Sequence, residues 1–174
     1  MSQAPQRVIG VGSPFGDDAA GWRVIEHLQG RVLPGVELVR LDRPGAGLIS
    51  WLESADHVVV IDALRSGAEA GTVRRLEPGA LAGLPDGPSS HGLGMANALQ
   101  LAGAIGALPP RLDIYAIELG TVDGEGLSPA VERAALDLAD RLASLLAPKG
   151  SAEKNPSLDF FSAACREVNS RQHP

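Results

Sequence analysis

The 174-residue chain has the length of a single domain, and its 44% hydrophobic content is enough to bury a sizeable core. A formal charge of -6 with no Lys/Arg cluster excludes an electrostatic footprint for nucleic acid or anionic lipid. MSQAPQR has no apolar signal region, and no window approaches the ~18 apolar residues of a membrane span. The lone cysteine, Cys165, excludes a disulfide framework or a cysteine-based zinc cluster, so the expectation is a soluble cytoplasmic protein whose metal, if any, is held by oxygen and nitrogen.

Arg7 to Val11 is a short β-branched run ended by glycines, and from Asp18 the residues Ala19, Trp22, Val24, Ile25 and Leu28 keep roughly helical spacing. Asp17 then reads as the N-cap of that helix. Val36 to Leu41 predicts a second strand, followed by Asp42, the loop RPGAG and a short helix over Leu48 to Leu52. The run HVVVIDAL, His57 to Leu64, is the apolar stretch expected of a central strand covered on both faces, with Asp62 at its mouth. Gly71 to Leu76, carrying Arg74 and Arg75, suits an exposed edge strand, antiparallel to its neighbour.

A Gly/Pro/Ser-rich loop ending in SSHG places His91 before a helix over Met95 to Ile105. Arg111 to Ile117 is the last strand, and Pro129 to Leu146 is the clearest amphipathic helix. Residues 1–148 thus form one α/β domain, and 149–174 form a polar extension in which LDFFSAACREV has the pattern of a short amphipathic helix. Strands alternating with helices predict a three-layer α/β/α sandwich around a twisted, mostly parallel sheet of about five strands.

In such sheets ligands bind outside the C-terminal ends of the strands. Asp18, Asp42 and Asp62 follow or close three successive strands, and His91 belongs to a loop that returns to the same edge. Carboxylates with an imidazole make a ligand set for a divalent metal such as nickel, zinc or manganese. A nucleotide is disfavoured: G-x-G lacks the third glycine of the fingerprint, and Asp17 and Asp18 occupy the helix N-terminus that a pyrophosphate would need. Asp62 is the hardest to explain structurally, because a charge after VVVI is desolvated unless paired or ligated. Asp42 fits an Asx-type turn as well as a functional role.

The ordered set GVGSPFGDDAAG, LDRPGAG, HVVVIDAL and SSHGLGMANAL resembles the hydrogenase maturation proteases, from about Arg7 to Leu146. These endopeptidases trim the C-terminal extension from the large subunit of nickel-iron hydrogenases. The resemblance implies a phosphorylase/hydrolase-like α/β sandwich and a metal site of Asp18, Asp62 and His91. It also implies nickel supplied by the substrate, a large-subunit precursor as partner and a monomeric enzyme. Asp42 matches a family aspartate in the second loop and joins these three as a candidate catalytic residue. The chain departs from the family at Ser13, where Asn is common, at Arg43-Pro44, where two glycines are common, and at Gly92, which replaces a polar residue. No G-x-S-x-G elbow, H-E-x-x-H helix or Cys/His pair supports another protease class. Two rivals remain: a metal-independent acid protease in which two aspartates share a proton, and a non-enzymatic nickel carrier or checkpoint protein.

Overall fold

The computed structural model describes residues 5–31, 33–79, 90–120 and 124–148, with backbone alone for 90–93. Five strands, β1 (Gln6–Gly12), β2 (Val36–Asp42), β3 (His57–Leu64), β4 (Val73–Leu76) and β5 (Arg111–Glu118), form one sheet in the order β2-β1-β3-β5-β4. All pairings are parallel except that of β4 with β5, so the Arg74/Arg75 strand is the antiparallel edge its sequence predicts.

The helices are α1 (Ala20–Gln29), α2 (Ile49–Leu52), α3 (Ser90–Ile105) and α4 (Pro129–Leu146). α1 and α4 bury Val24, Ile25, Leu28, Val131, Leu138 and Leu142 against one face of the sheet. α2 and α3 bury Leu52, Met95, Leu99 and Ala102 against the other. The central strand β3 serves both cores, with Val59 and Ile61 in the first and Val58 and Val60 in the second, which is why its sequence is continuously apolar. Arg23 pairs with Glu132 and Arg31 with Asp140 at the same 109-residue offset, so α1 and α4 run parallel, both away from the C-terminal edge of the sheet.

The glycines at the end of β1 serve packing. A Cβ on Gly10 would collide with the carbonyl of Gly21, and one on Gly12 with the carbonyl of Asp18. α1 therefore lies on β1 with backbones nearly touching, which brings its leading turn directly over the strand end.

Two expectations are corrected here. A 3-10 turn, Gly16–Ala19, precedes α1, and the residue before it is Phe15, so Asp17 lies inside the turn and does not cap α1. His91 belongs to the first turn of α3, not to a loop. Gly92 and Gly94 each cost about 1 kcal/mol in a helix relative to Ala and mask that turn in the sequence. The turn nonetheless forms where Gly94 packs on Gly45, in a 3-10 turn (Gly45–Leu48) that follows β2. Residues 149–174, including the expected amphipathic segment, lie outside the described residues.

Candidate active site

The chain leaves β1 on one side to form β2 and crosses back over β1 to form β3, so the strand order reverses between β1 and β3. The β1–β3 ladder ends at Gly10 opposite Ile61, although β1 continues to Gly12 and β3 to Leu64. The two strands part there, which is where a doubly wound sheet opens its crevice. Asp18 follows β1 on one side of that opening, and Asp62, two residues before the end of β3, stands on the other.

Asp62 is 1% exposed. Its Oδ1 accepts the neighbouring Ala63 N–H at 2.8 Å, whereas its Oδ2 is buried with no hydrogen-bond partner among the described residues. Burial pushes its carboxyl from 3.8 to about 7; the Ala63 hydrogen bond works against that, and the nearby charge of Asp18 works with it. Asp18 is also buried, and it accepts a hydrogen bond from the Ser13 hydroxyl. The departure at Ser13 thus leaves a side-chain donor on this carboxylate.

Asp42 closes β2 opposite Gly12, on the same edge. Its half-exposed carboxylate is held by the adjacent Arg43, with Nε at 2.6 Å from Oδ1. Arg43 takes a left-handed φ of 43°, the conformation that glycines at this position would adopt freely. Its guanidinium is raised by the Asp42 hydrogen bond and charge and, to a smaller extent, by Asp18. The first turn of α3 carries His91 to this edge, beside the turn after β2. Asp18, Asp42 and Asp62 therefore gather with the His91 backbone at one end of the sheet.

An orphaned buried carboxylate oxygen beside a second carboxylate suits a cation, and the donor set fits a divalent metal in its chemistry. Among the described residues no group of three or more His, Cys, Asp or Glu could hold a metal ion; the His91 ring is not among them.

Three residues of this edge escape sequence reasoning in their roles. Asp17, fully buried, accepts hydrogen bonds from the Gly120 N–H at 2.9 Å, the Ser128 N–H at 2.5 Å and the Ser128 hydroxyl at 2.9 Å. It fastens the turn after β1 to the start of α4, a contact across more than a hundred residues that no local pattern encodes. Glu118, 2% exposed, accepts the Ser66 and Gly67 N–H groups and the Ser66 hydroxyl, and so fixes the loop that leaves β3 just after Asp62. Arg43 is legible in sequence only as a departure from the family loop.

Residues 22–145 match the family described as hydrogenase maturation protease. The hydrogenase maturating endopeptidase HybD from E. coli is 28% identical with a TM-score of 0.73, over 82% of this chain and 91% of that one. A solution structure of an endopeptidase from Escherichia coli gives 28% identity and a TM-score of 0.74 over the same shares, 82% and 91%. The [NiFe] hydrogenase maturation protease HycI from Thermococcus kodakarensis KOD1 shares the fold at 24% identity and a TM-score of 0.63, over 82% of this chain and 92% of that one. No curated protein matches the chain by sequence. No helix among the described residues is long and apolar enough to cross a membrane.

Proposed function

Because the chain belongs to the hydrogenase maturation proteases, matched over residues 22–145, we propose that it removes the C-terminal extension of a nickel-iron hydrogenase large-subunit precursor after nickel insertion. In this reading Asp18, Asp62 and His91 dock on the nickel carried by the substrate, with Asp42 at the rim of the site. The enzyme acts as a cytoplasmic monomer and uses no nucleotide. The observation that carries the reading is the buried Asp62 Oδ2 at the strand-order reversal, without a hydrogen-bond partner among the described residues, a position that costs free energy until a cation or proton arrives.

The substrate's nickel supplies positive charge that fixes the precursor's tail against the site. Burial pushes the Asp62 carboxyl up to about 7 while no cation is near; with nickel seated, an ionised carboxylate oxygen of the site can take a proton from the attacking water and return it to the leaving amine nitrogen. The backbone approach of α1 on β1 keeps Asp18 in place during that exchange.

A second reading, an acid protease working without metal, is favoured by one observation: the Asp62 carboxyl is raised, mainly by burial and to a smaller extent by the charge of Asp18, which suits a carboxyl that keeps its proton beside a second aspartate. One assay separates the readings. Metal-free precursor, nickel-matured precursor, and metal-free precursor with added nickel salt are each presented to the enzyme, and loss of the C-terminal peptide is followed. Rapid cutting of the matured form alone is expected, because a metal anchored in the partner makes the second contact effectively intramolecular. Rapid cutting of the metal-free form, or full activity of His91→Ala, would overturn the nickel reading in favour of the acid protease. Intact precursor in all three arms would point to a carrier.

A further inference from the structure

From Leu101 onward the outer face of α3 is apolar, after the exposed Asn97 and Gln100 of the preceding turn. Between Ser90 and Pro110 the sequence contains no Asp, Glu, Lys or Arg. The inner face of α3 buries Met95, Ala98, Leu99 and Ala102, yet Leu101 and Ile105 stand 47% and 61% exposed on the outer face, continued by Leu108 at 39%. Large apolar side chains exposed together at one end of a helix mark a contact surface. The outer face of α4 differs: its exposed Leu136 and Leu145 are interspersed with Arg133, Asp137, Asp140 and Arg141.

We propose that this face of α3 is the docking site for the chain's own segment Leu158–Val168. The segment reads LDFFSAACREV, and Leu158, Phe161, Cys165 and Val168 recur at i, i+3, i+7 and i+10, the spacing of one apolar helical stripe. Two of the three phenylalanines of the whole chain fall within it, in a protein whose aromatic share is only 3%. Leu101, Ala104 and Ile105 offer a complementary i, i+3, i+4 stripe.

The topology puts the two within reach. α4 starts at the C-terminal edge of the sheet, tied to Asp17, and so ends at the opposite edge, where Pro148 closes the described chain. α3 runs into the start of β5 and therefore presents Leu101, Ile105 and Leu108 towards that same opposite edge. Both helices cover β3 and β5, on opposite faces. Rounding the edge from α4 to the outside of α3 crosses two layer spacings of about 10 Å each plus a helix radius of about 5 Å. Residues 149–157 extend to about 30 Å at ~3.3 Å per residue, which is sufficient. The matched family region ends at residue 145, so this cover belongs to the part of the chain beyond it. The braced helix is the one that carries His91 at its other end.

Cys165 is the chain's only cysteine and makes the test direct. In the full-length protein, Leu101→Cys, Ile105→Cys or Leu108→Cys is introduced singly, with Leu136→Cys on α4 as control, and disulfide formation with Cys165 under mild oxidation is followed by peptide mass spectrometry. A docked segment brings one α3 position within the ~6 Å Cα separation a disulfide requires, so that position should close at least about tenfold faster than Leu136→Cys. Adding Phe161→Asp should abolish that advantage and speed amide hydrogen exchange of residues 101–105 in the otherwise unaltered chain. Equal closure rates at all positions would overturn the proposal. So would disulfides that form only between molecules and in proportion to concentration, which would assign the face to a second copy. Unchanged exchange in Phe161→Asp would equally overturn it.

Discussion

At the scale of single residues, the chain places carboxylates where their charge is costly and then satisfies some of them but not others. Asp17 and Glu118 are buried, each accepting from three donors among the described residues, and are thereby structural. Asp62 is equally buried and, among the described residues, has only the neighbouring amide on one oxygen. The difference predicts a pH dependence. The folded protein holds the Asp62 proton up to about 7, whereas the unfolded chain releases it near 3.8. Between those values the folded state binds more protons, so this group makes stability fall as pH rises through the window, a loss that is complete above 7. The displacement corresponds to a few kcal/mol, at about 1.4 kcal/mol per pH unit. Asp62→Asn should therefore melt higher than the parent protein at pH 8, with the advantage shrinking towards pH 4, while processing activity is lost. Thermal denaturation across that range checks it, and a variant less stable than the parent at pH 8 would show that the carboxylate is stabilised by partners.

At the scale of elements, the site is assembled by contacts between segments distant in sequence. β1 and α1 meet through Gly10 and Gly21, and the turn between them is anchored to α4 by Asp17. Away from the site, at the start of β5, Asp113 is desolvated but accepts hydrogen bonds from Arg75 and His57 and lies beside Arg111, which together hold its carboxyl below the usual range and join β3, β4 and β5. Asp17→Asn is expected to lower stability by about 1–3 kcal/mol, because the amide turns an NH2 group towards donors that need an acceptor. Asp18→Asn should cost less stability than Asp17→Asn, since an amide oxygen can still accept from Ser13, and should abolish processing. Denaturant titration of both variants distinguishes them; equal stability losses would show that Asp18, too, is a structural anchor.

At the scale of the whole molecule, two apolar cores share one sheet, and β3 contributes alternate residues to each. Neither helix layer can lose its packing without exposing one face of that sheet, so unfolding should be a single cooperative event. The two tryptophans report on opposite layers: Trp22 on α1, with its indole N–H donating to the Leu41 carbonyl, and Trp51 on α2, under the Arg7 guanidinium. Single-tryptophan variants Trp22→Phe and Trp51→Phe should each show one fluorescence transition coinciding with that variant's own loss of circular dichroism. Separated midpoints within one variant would show that the layers unfold independently.

Sequence alone determined the alternation of strands and helices, the buried β3, the antiparallel edge and the gathering of Asp18, Asp42 and Asp62 at one end of the sheet. Each of these follows from local periodicity combined with the rule that parallel strands present their C-terminal ends together. Pro129 to Leu146 is legible to the residue, because its apolar stripe is long and begins at a proline. The first turn of α3 was hidden by two glycines whose low helix propensity is overridden by packing on Gly45. Local pattern makes Asp17 look like a helix cap because its partners, Gly120 and Ser128, lie more than a hundred residues away. Only the tertiary structure decided which carboxylates are satisfied and which is left open, since desolvation and hydrogen bonding depend on what surrounds a side chain in space, and sequence spacing carries no record of it.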